Sequence, residues 1–149
     1  MRPIVATLAI FALITSCNSQ PEEPRVTVEN AMVHLPAVSG RPGAAYFTLR
    51  TNNDPTRLVS IASPSVERIE LHDSVTTGGV SRMQRVDSLT FGDALQFKPG
   101  GKHAMLFGLD PALKPGAKVP LTFTFQTAPP VTVRATVHAP GGGGGHANH

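Results

Sequence analysis

The sequence predicts an all-β domain, an antiparallel sandwich or barrel. Fourteen prolines and fourteen glycines punctuate its 149 residues. No long 3.6-residue periodicity survives between them, and the apolar stretches are short, alternating and evenly spaced between turn signals. Nine strands are predicted: Val26–His34, Ala44–Thr51, Leu58–Ala62, Glu67–His72, Val80–Val86, Ala94–Phe97, His103–Leu109, Lys118–Gln126 and Val131–His138.

The turns between them are Asn52-Asn53-Asp54-Pro55, Gly78-Gly79, Lys98-Pro99-Gly100-Gly101, Lys114-Pro115-Gly116 and Pro129-Pro130. Within the eighth of these strands, Leu121-Thr122-Phe123-Thr124-Phe125 alternates cleanly, so one of its faces is expected to meet a core. Lys118–Gln126 and Val131–His138 are expected to form a hairpin.

The N-terminus reads as a targeting segment. Arg2 precedes an apolar run, Ile4 to Ile14, broken only by Thr7. That run is too short for a permanent membrane span and has the length of a signal-peptide core. Ile14-Thr15-Ser16-Cys17 follows and resembles a lipobox, in which Cys17 would be lipidated as the first mature residue. Ordinary cleavage near Ser16, with Cys17 incidental, is the alternative. The reading divides the chain into a lipoprotein signal peptide (1–16), a polar tether (17–24), one folded domain (25–140) and a Gly/His tail (141–149). With Cys17 the single cysteine and acylated, the domain must hold together by packing, without a disulfide.

Lys+Arg number 13 against 10 Asp+Glu, with no Trp and one Tyr. The charges are scattered, so there is no electrostatic track for nucleic acid. There is no phosphate-cradling glycine loop outside the tail and no nucleophile elbow, so an enzyme is not expected.

The sulfur and imidazole positions carry the chemistry. His103-Ala104-Met105 sets an imidazole and a thioether at i and i+2, which in a strand share one face. A tight turn centred between Thr77 and Gly78 would set His72 directly across from Met83, again pairing an imidazole with a thioether. Arg68, Glu70 and His72 occupy one face of their strand, and Ser81, Met83 and Arg85 one face of the next. Methionine on a polar face has no packing reason to be there. Neutral, soft donors of this kind suit Cu(I), whereas Mg or Ca would require oxygens. A blue-copper centre would need a cysteine thiolate, which Cys17 is not placed to supply.

These residues bring a family into view. Val26-Thr27-Val28-Glu29-Asn30-Ala31, Ala44-Ala45-Tyr46-Phe47-Thr48-Leu49, Glu70-Leu71-His72, Met83, and Lys98-Pro99-Gly100-Gly101-Lys102-His103-Ala104-Met105-Leu106-Phe107-Gly108-Leu109 resemble the periplasmic copper chaperones of the PCu(A)C family. The resemblance covers about Val26 to Val137. It implies a cupredoxin-like antiparallel β-sandwich of Greek-key type, and copper, as Cu(I), held by His72, Met83, His103 and Met105. It further implies delivery to the dinuclear copper centre of cytochrome c oxidase, directly or through a thioredoxin-like partner. Some members also bind Cu(II) through His-rich extensions, which makes His146 and His149 auxiliary ligand candidates. A periplasmic location follows, with membrane attachment by the lipid alone. Asn18 after Cys17 leans the anchor toward the outer membrane. Three departures stand out: the gap between Met83 and His103 holds nineteen residues, shorter than is usual in the family, Asp73 stands where many members have an apolar residue or methionine, and Lys102 stands where an aromatic is common.

The remaining candidates are plainer. His34 and His138 are expected to be ordinary surface histidines and Met32 a core or near-core residue. Asp73 is expected to be a solvated loop carboxylate rather than an orienting partner of His72. The rival to a copper carrier is a lipid-anchored envelope module whose methionines are incidental.

Overall fold

Alternating residues with apolar side chains on one face fold into ten strands in the computed structural model, which describes residues 25–52 and 55–141. They are β1 (Val26–His34), β2 (Gly43–Thr51), β3 (Thr56–Ala62), β4 (Val66–Thr77), β5 (Val80–Val86), β6 (Leu89–Phe91), β7 (Ala94–Phe97), β8 (His103–Leu109), β9 (Lys118–Phe125) and β10 (Val131–His138). There is no helix among the described residues. The predicted strands are all present. β4 runs five residues further than predicted, and β6 is an additional strand of three residues.

The strands follow the order β5-β4-β8-β2-β1-β10-β9-β3-β6, with β7 pairing β2. Neighbours that are distant in sequence are the mark of Greek-key connections. All pairings are antiparallel except β1 with β10, which is parallel. The expected hairpin of β9 and β10 is present, with Phe123 opposite Val131.

The path folds over itself around one core. Ala45, Phe47 and Leu49 of β2, Leu71 of β4 and Ala104 and Leu106 of β8 face Leu58, Ile61, Leu121, Phe123 and Phe125 of β3 and β9, and all are buried. Phe47 joins the halves: its ring stacks on Phe97 at 4.2 Å and meets Phe123 edge-on at 4.8 Å. Burial of side chains this large is the main favourable term in holding the sandwich together. This is the cupredoxin-like all-β fold that the sequence resemblance implied.

The alternation that fills the core also fixes the opposite face. With Leu71, Ala104 and Ala45 inward, His72, His103 and Met105 must project outward.

Candidate metal centre

β4 and β8 pair in direct register, with His72 opposite His103 and Glu70 opposite Met105. The two imidazoles stack with centroids 5.7 Å apart and planes at 27°. Met105, two residues from His103, shares their face. Two elements thus set two imidazoles and one thioether side by side, as the His103-Ala104-Met105 spacing predicts.

Hydrogen bonds orient both rings. His103 Nδ1 lies 2.9 Å from the Gly101 carbonyl, and a carbonyl only accepts, so Nδ1 donates and Nε2 keeps its lone pair. His72 Nε2 lies 3.1 Å from Glu70 Oε2. An ionised carboxylate likewise only accepts, so Nε2 donates and the lone pair sits on Nδ1. His72 Nδ1 is buried and has no hydrogen-bond partner. A buried polar atom without a partner costs about 1–3 kcal/mol, and a coordinated ion would remove that cost. This donor set fits a soft ion.

Glu70 is the functional neighbour that the sequence reading passed over. Its carboxyl also meets Arg68 Nε at 2.9 Å and Arg85 Nη1 at 3.7 Å. The His72 hydrogen bond, above all, holds Glu70 below the usual carboxylate range; burial opposes this, and the charges of Arg85 and Arg68 reinforce it. The signal in the sequence was its position at i−2 from His72, on the same strand face. Asp73, which points the other way, instead pairs with Lys102 at 2.9 Å. It is therefore neither an orienting partner of His72 nor a free loop carboxylate.

The hairpin register corrects one expectation. His72 faces Arg85, and Met83 faces Ser74. The turn is centred between Gly78 and Gly79, not between Thr77 and Gly78, because both glycines take positive φ (60° and 80°) as a two-residue type I′ turn requires. Met83 still shares the face of His72, but as a diagonal neighbour one same-face position beyond it, about 7–8 Å away. Met105 lies one same-face position on the other side of the histidine row. β8 pairs with β4 only as far as His72, so the ribbon beyond, from Asp73 to Gln84, is two strands wide. Met83 on that ribbon is 63% exposed, while His103 is 9% exposed. The set is accordingly not uniformly exposed: the histidines are covered and Met83 stands in solvent.

Among the described residues no three His, Cys, Asp or Glu cluster in a way that could hold a metal ion, so a site here depends on the thioethers. His34 and Met32 also differ from expectation. His34 is buried at 8% exposure, and Met32 is half-buried on the outer face because its neighbour Val33 takes the core side. The auxiliary candidates His146 and His149, the lipidation candidate Cys17, the signal peptide and the tether at 17–24 lie outside the described residues.

The family model described as "Putative lipoprotein LpqE-like" matches residues 26–137. A protein of Leifsonia xyli named "Putative lipoprotein Lxx21020" is 30% identical over 119 residues, covering 63% of this chain and 72% of the relative. An uncharacterized Rickettsia prowazekii protein, RP573, is 38% identical over 87 residues, covering 56% of this chain and 48% of the relative, so the match spans about half of that protein. Among solved structures, apo-DR1885 from Deinococcus radiodurans superposes with a TM-score of 0.59 at 30% identity, covering 96% of this chain and 97% of that one. The copper-bound PCuAC domain from PmoF2 superposes with a TM-score of 0.65 at 21% identity, covering 77% and 93%, a likeness of fold. With its model spanning the whole sandwich, the LpqE-like family, that is the PCu(A)C family, is the one to which this chain belongs.

Proposed function

We propose that this protein is a copper carrier of the cell envelope, a binding protein rather than an enzyme, which holds Cu(I) between His72, His103, Met105 and Met83. The observation that carries this reading is the lone pair of His72 Nδ1, buried without a partner in a ring stacked on His103. Two neutral imidazoles beside thioethers favour Cu(I) over harder ions. The Cu(I) form of DR1885, 31% identical with a TM-score of 0.56, and the copper-bound PmoF2 domain support copper as the cargo.

The arrangement divides holding from release. His72 and His103 are fixed in tautomer and orientation by Glu70 and the Gly101 carbonyl, so they meet the ion at low entropic cost. Met83 sits on the exposed ribbon, where an acceptor protein can displace it first. Thioether exchange needs no proton, so cargo can pass to the acceptor without acid–base chemistry. Delivery to the dinuclear copper centre of cytochrome c oxidase, directly or through a thioredoxin-like partner, is the acceptor route we favour. Lipidation at Cys17 would hold the carrier at a membrane surface facing the periplasm, in keeping with the lipoprotein name of the Leifsonia relative.

A Cu(I) competition titration under reducing conditions tests the reading. It uses the chain with His146→Ala and His149→Ala, beside the same chain also carrying Met83→Leu and Met105→Leu. The tightest equivalent is expected to be lost with the two thioethers. Tight binding that is indifferent to both would overturn the reading.

A further inference from the structure

A second pair of histidines on the same sheet face repeats the geometry of the first. His34 of β1 and His138 of β10 are direct register partners. Their rings stack with centroids 5.4 Å apart and planes at 27°, against 5.7 Å and 27° for His72 and His103. The Leu35 amide donates to the His138 carbonyl at 3.0 Å and holds the two strand ends together. His34 Nε2 is buried without a hydrogen-bond partner, as His72 Nδ1 is, and His34 is only 8% exposed.

The neighbourhood supplies a thioether too. Met32-Val33-His34 is the reverse of His103-Ala104-Met105. Met32 opposes Tyr46 and His34 opposes Ala44, with Val33 in the core, so Met32 and His34 share the outer face. A cavity of about 260 Å³ opens beside His34, lined also by Ala44, Tyr46, Pro99 and Gly141, and neither Met32 nor His138 lines it. The Tyr46 ring meets His34 edge-on at 5.2 Å and leaves Nε2 unbonded.

We propose that Met32, His34 and His138 form a second soft-metal site, which takes a second Cu(I) on the same sheet face as the first. The register Met105–Ala44–His34 sets the nearest ligands of the two sites, Met105 and His34, two strands apart, about 10 Å. They are close enough for one face to carry two ions and too far apart for them to share ligands. A buried imidazole nitrogen with nothing to bond is costly in an apolar setting, and bound metal is what this donor set would accept.

The test is Cu(I) stoichiometry, read by competition with a Cu(I) chelator under reducing conditions, in the chain with His146→Ala and His149→Ala. Two equivalents are expected. His34→Gln with His138→Gln should keep only the first, and Met83→Leu with Met105→Leu only the second. Met32→Leu, a volume-conserving change, should weaken the second and spare the first. Because His34 is buried, the unsubstituted histidines are also followed by imidazole ¹H–¹⁵N spectra during the titration. Shifts of His34 and His138 confined to the second equivalent support the site. A single equivalent that is lost with Met83 and Met105, or His34 and His138 resonances unmoved throughout the titration, would overturn it. The first equivalent is read separately, through Met83 and Met105, so the failure of either site is distinguishable from failure of the other.

Discussion

Lys102 Nζ lies 2.9 Å from Asp73 Oδ2, joining the segment that enters β8 to β4 one residue beyond His72. Both positions are among those at which the sequence departs from what the PCu(A)C resemblance implies, and here they pair with one another. An ion pair stands where the resemblance implied an aromatic and an apolar residue or methionine. Both side chains are about one-third exposed or less (31% and 25%), so the pair is worth about 0.5–1 kcal/mol. A double-mutant cycle with Asp73→Ala and Lys102→Ala, read by urea unfolding, should return a coupling of that size. A coupling of zero would show that the two departures are independent.

Glu70 accepts a hydrogen bond from His72 and is expected to position that ring rather than to ligate the ion. Glu70→Ala should leave the fold intact and weaken binding of the first Cu(I) about 10–100-fold, the usual loss when the partner of a metal-ligating histidine is removed. Competition with a Cu(I) chelator measures it. Unchanged affinity would mean that stacking on His103 alone orients the ring.

The Gly78-Gly79 turn decides where Met83 stands. Both residues have positive φ, which costs a residue with a Cβ roughly 1 kcal/mol or more per position. Gly78→Ala with Gly79→Ala should lower the melting temperature and loosen the ribbon, and with it the affinity of the first site. Asn-Gly in the same place, which suits a type I′ turn, should restore both. Thermal unfolding and Cu(I) competition on the two variants check this.

Gly43 is a packing glycine, not a flexible one. A Cβ there would lie 2.6 Å from the His34 carbonyl oxygen and 2.8 Å from Leu109 Cδ1, and the carbonyl cannot swing aside without breaking the β1–β2 pairing. Gly43→Ala should destabilise the fold by about 1–3 kcal/mol, as overpacking does, and denaturant unfolding measures it.

Strand positions and faces were legible in the sequence because β structure writes a period of two into it. The alternation through Leu121–Phe125 and the Arg68/Glu70/His72 face are both as read. The hairpin register was not legible to one residue, since a turn centred on either side of Gly78 satisfies the same alternation. The positive φ of both glycines, a feature of the folded backbone, decides it. Leu89–Phe91 was missed because three residues carry too little pattern. His34 was read as a surface residue because a strand-end histidine carries no local sign of burial. The strand lying beside it, β10, is about a hundred residues away in sequence and pairs in parallel, so His138 and Tyr46 enclose His34 only through tertiary structure. The parallel contact likewise follows from how the sandwich closes and not from any local signal.

Whether sulfur and imidazole together hold the first ion is read directly by X-ray absorption at the copper edge. Cu(I) is loaded below one equivalent into the chain with His146→Ala and His149→Ala, and the spectrum is compared with that of the Met83→Leu, Met105→Leu variant. A mixed shell of nitrogen and sulfur is expected in the first, with the sulfur lost in the second. A shell of nitrogen or oxygen alone in the chain that retains both methionines would contradict it.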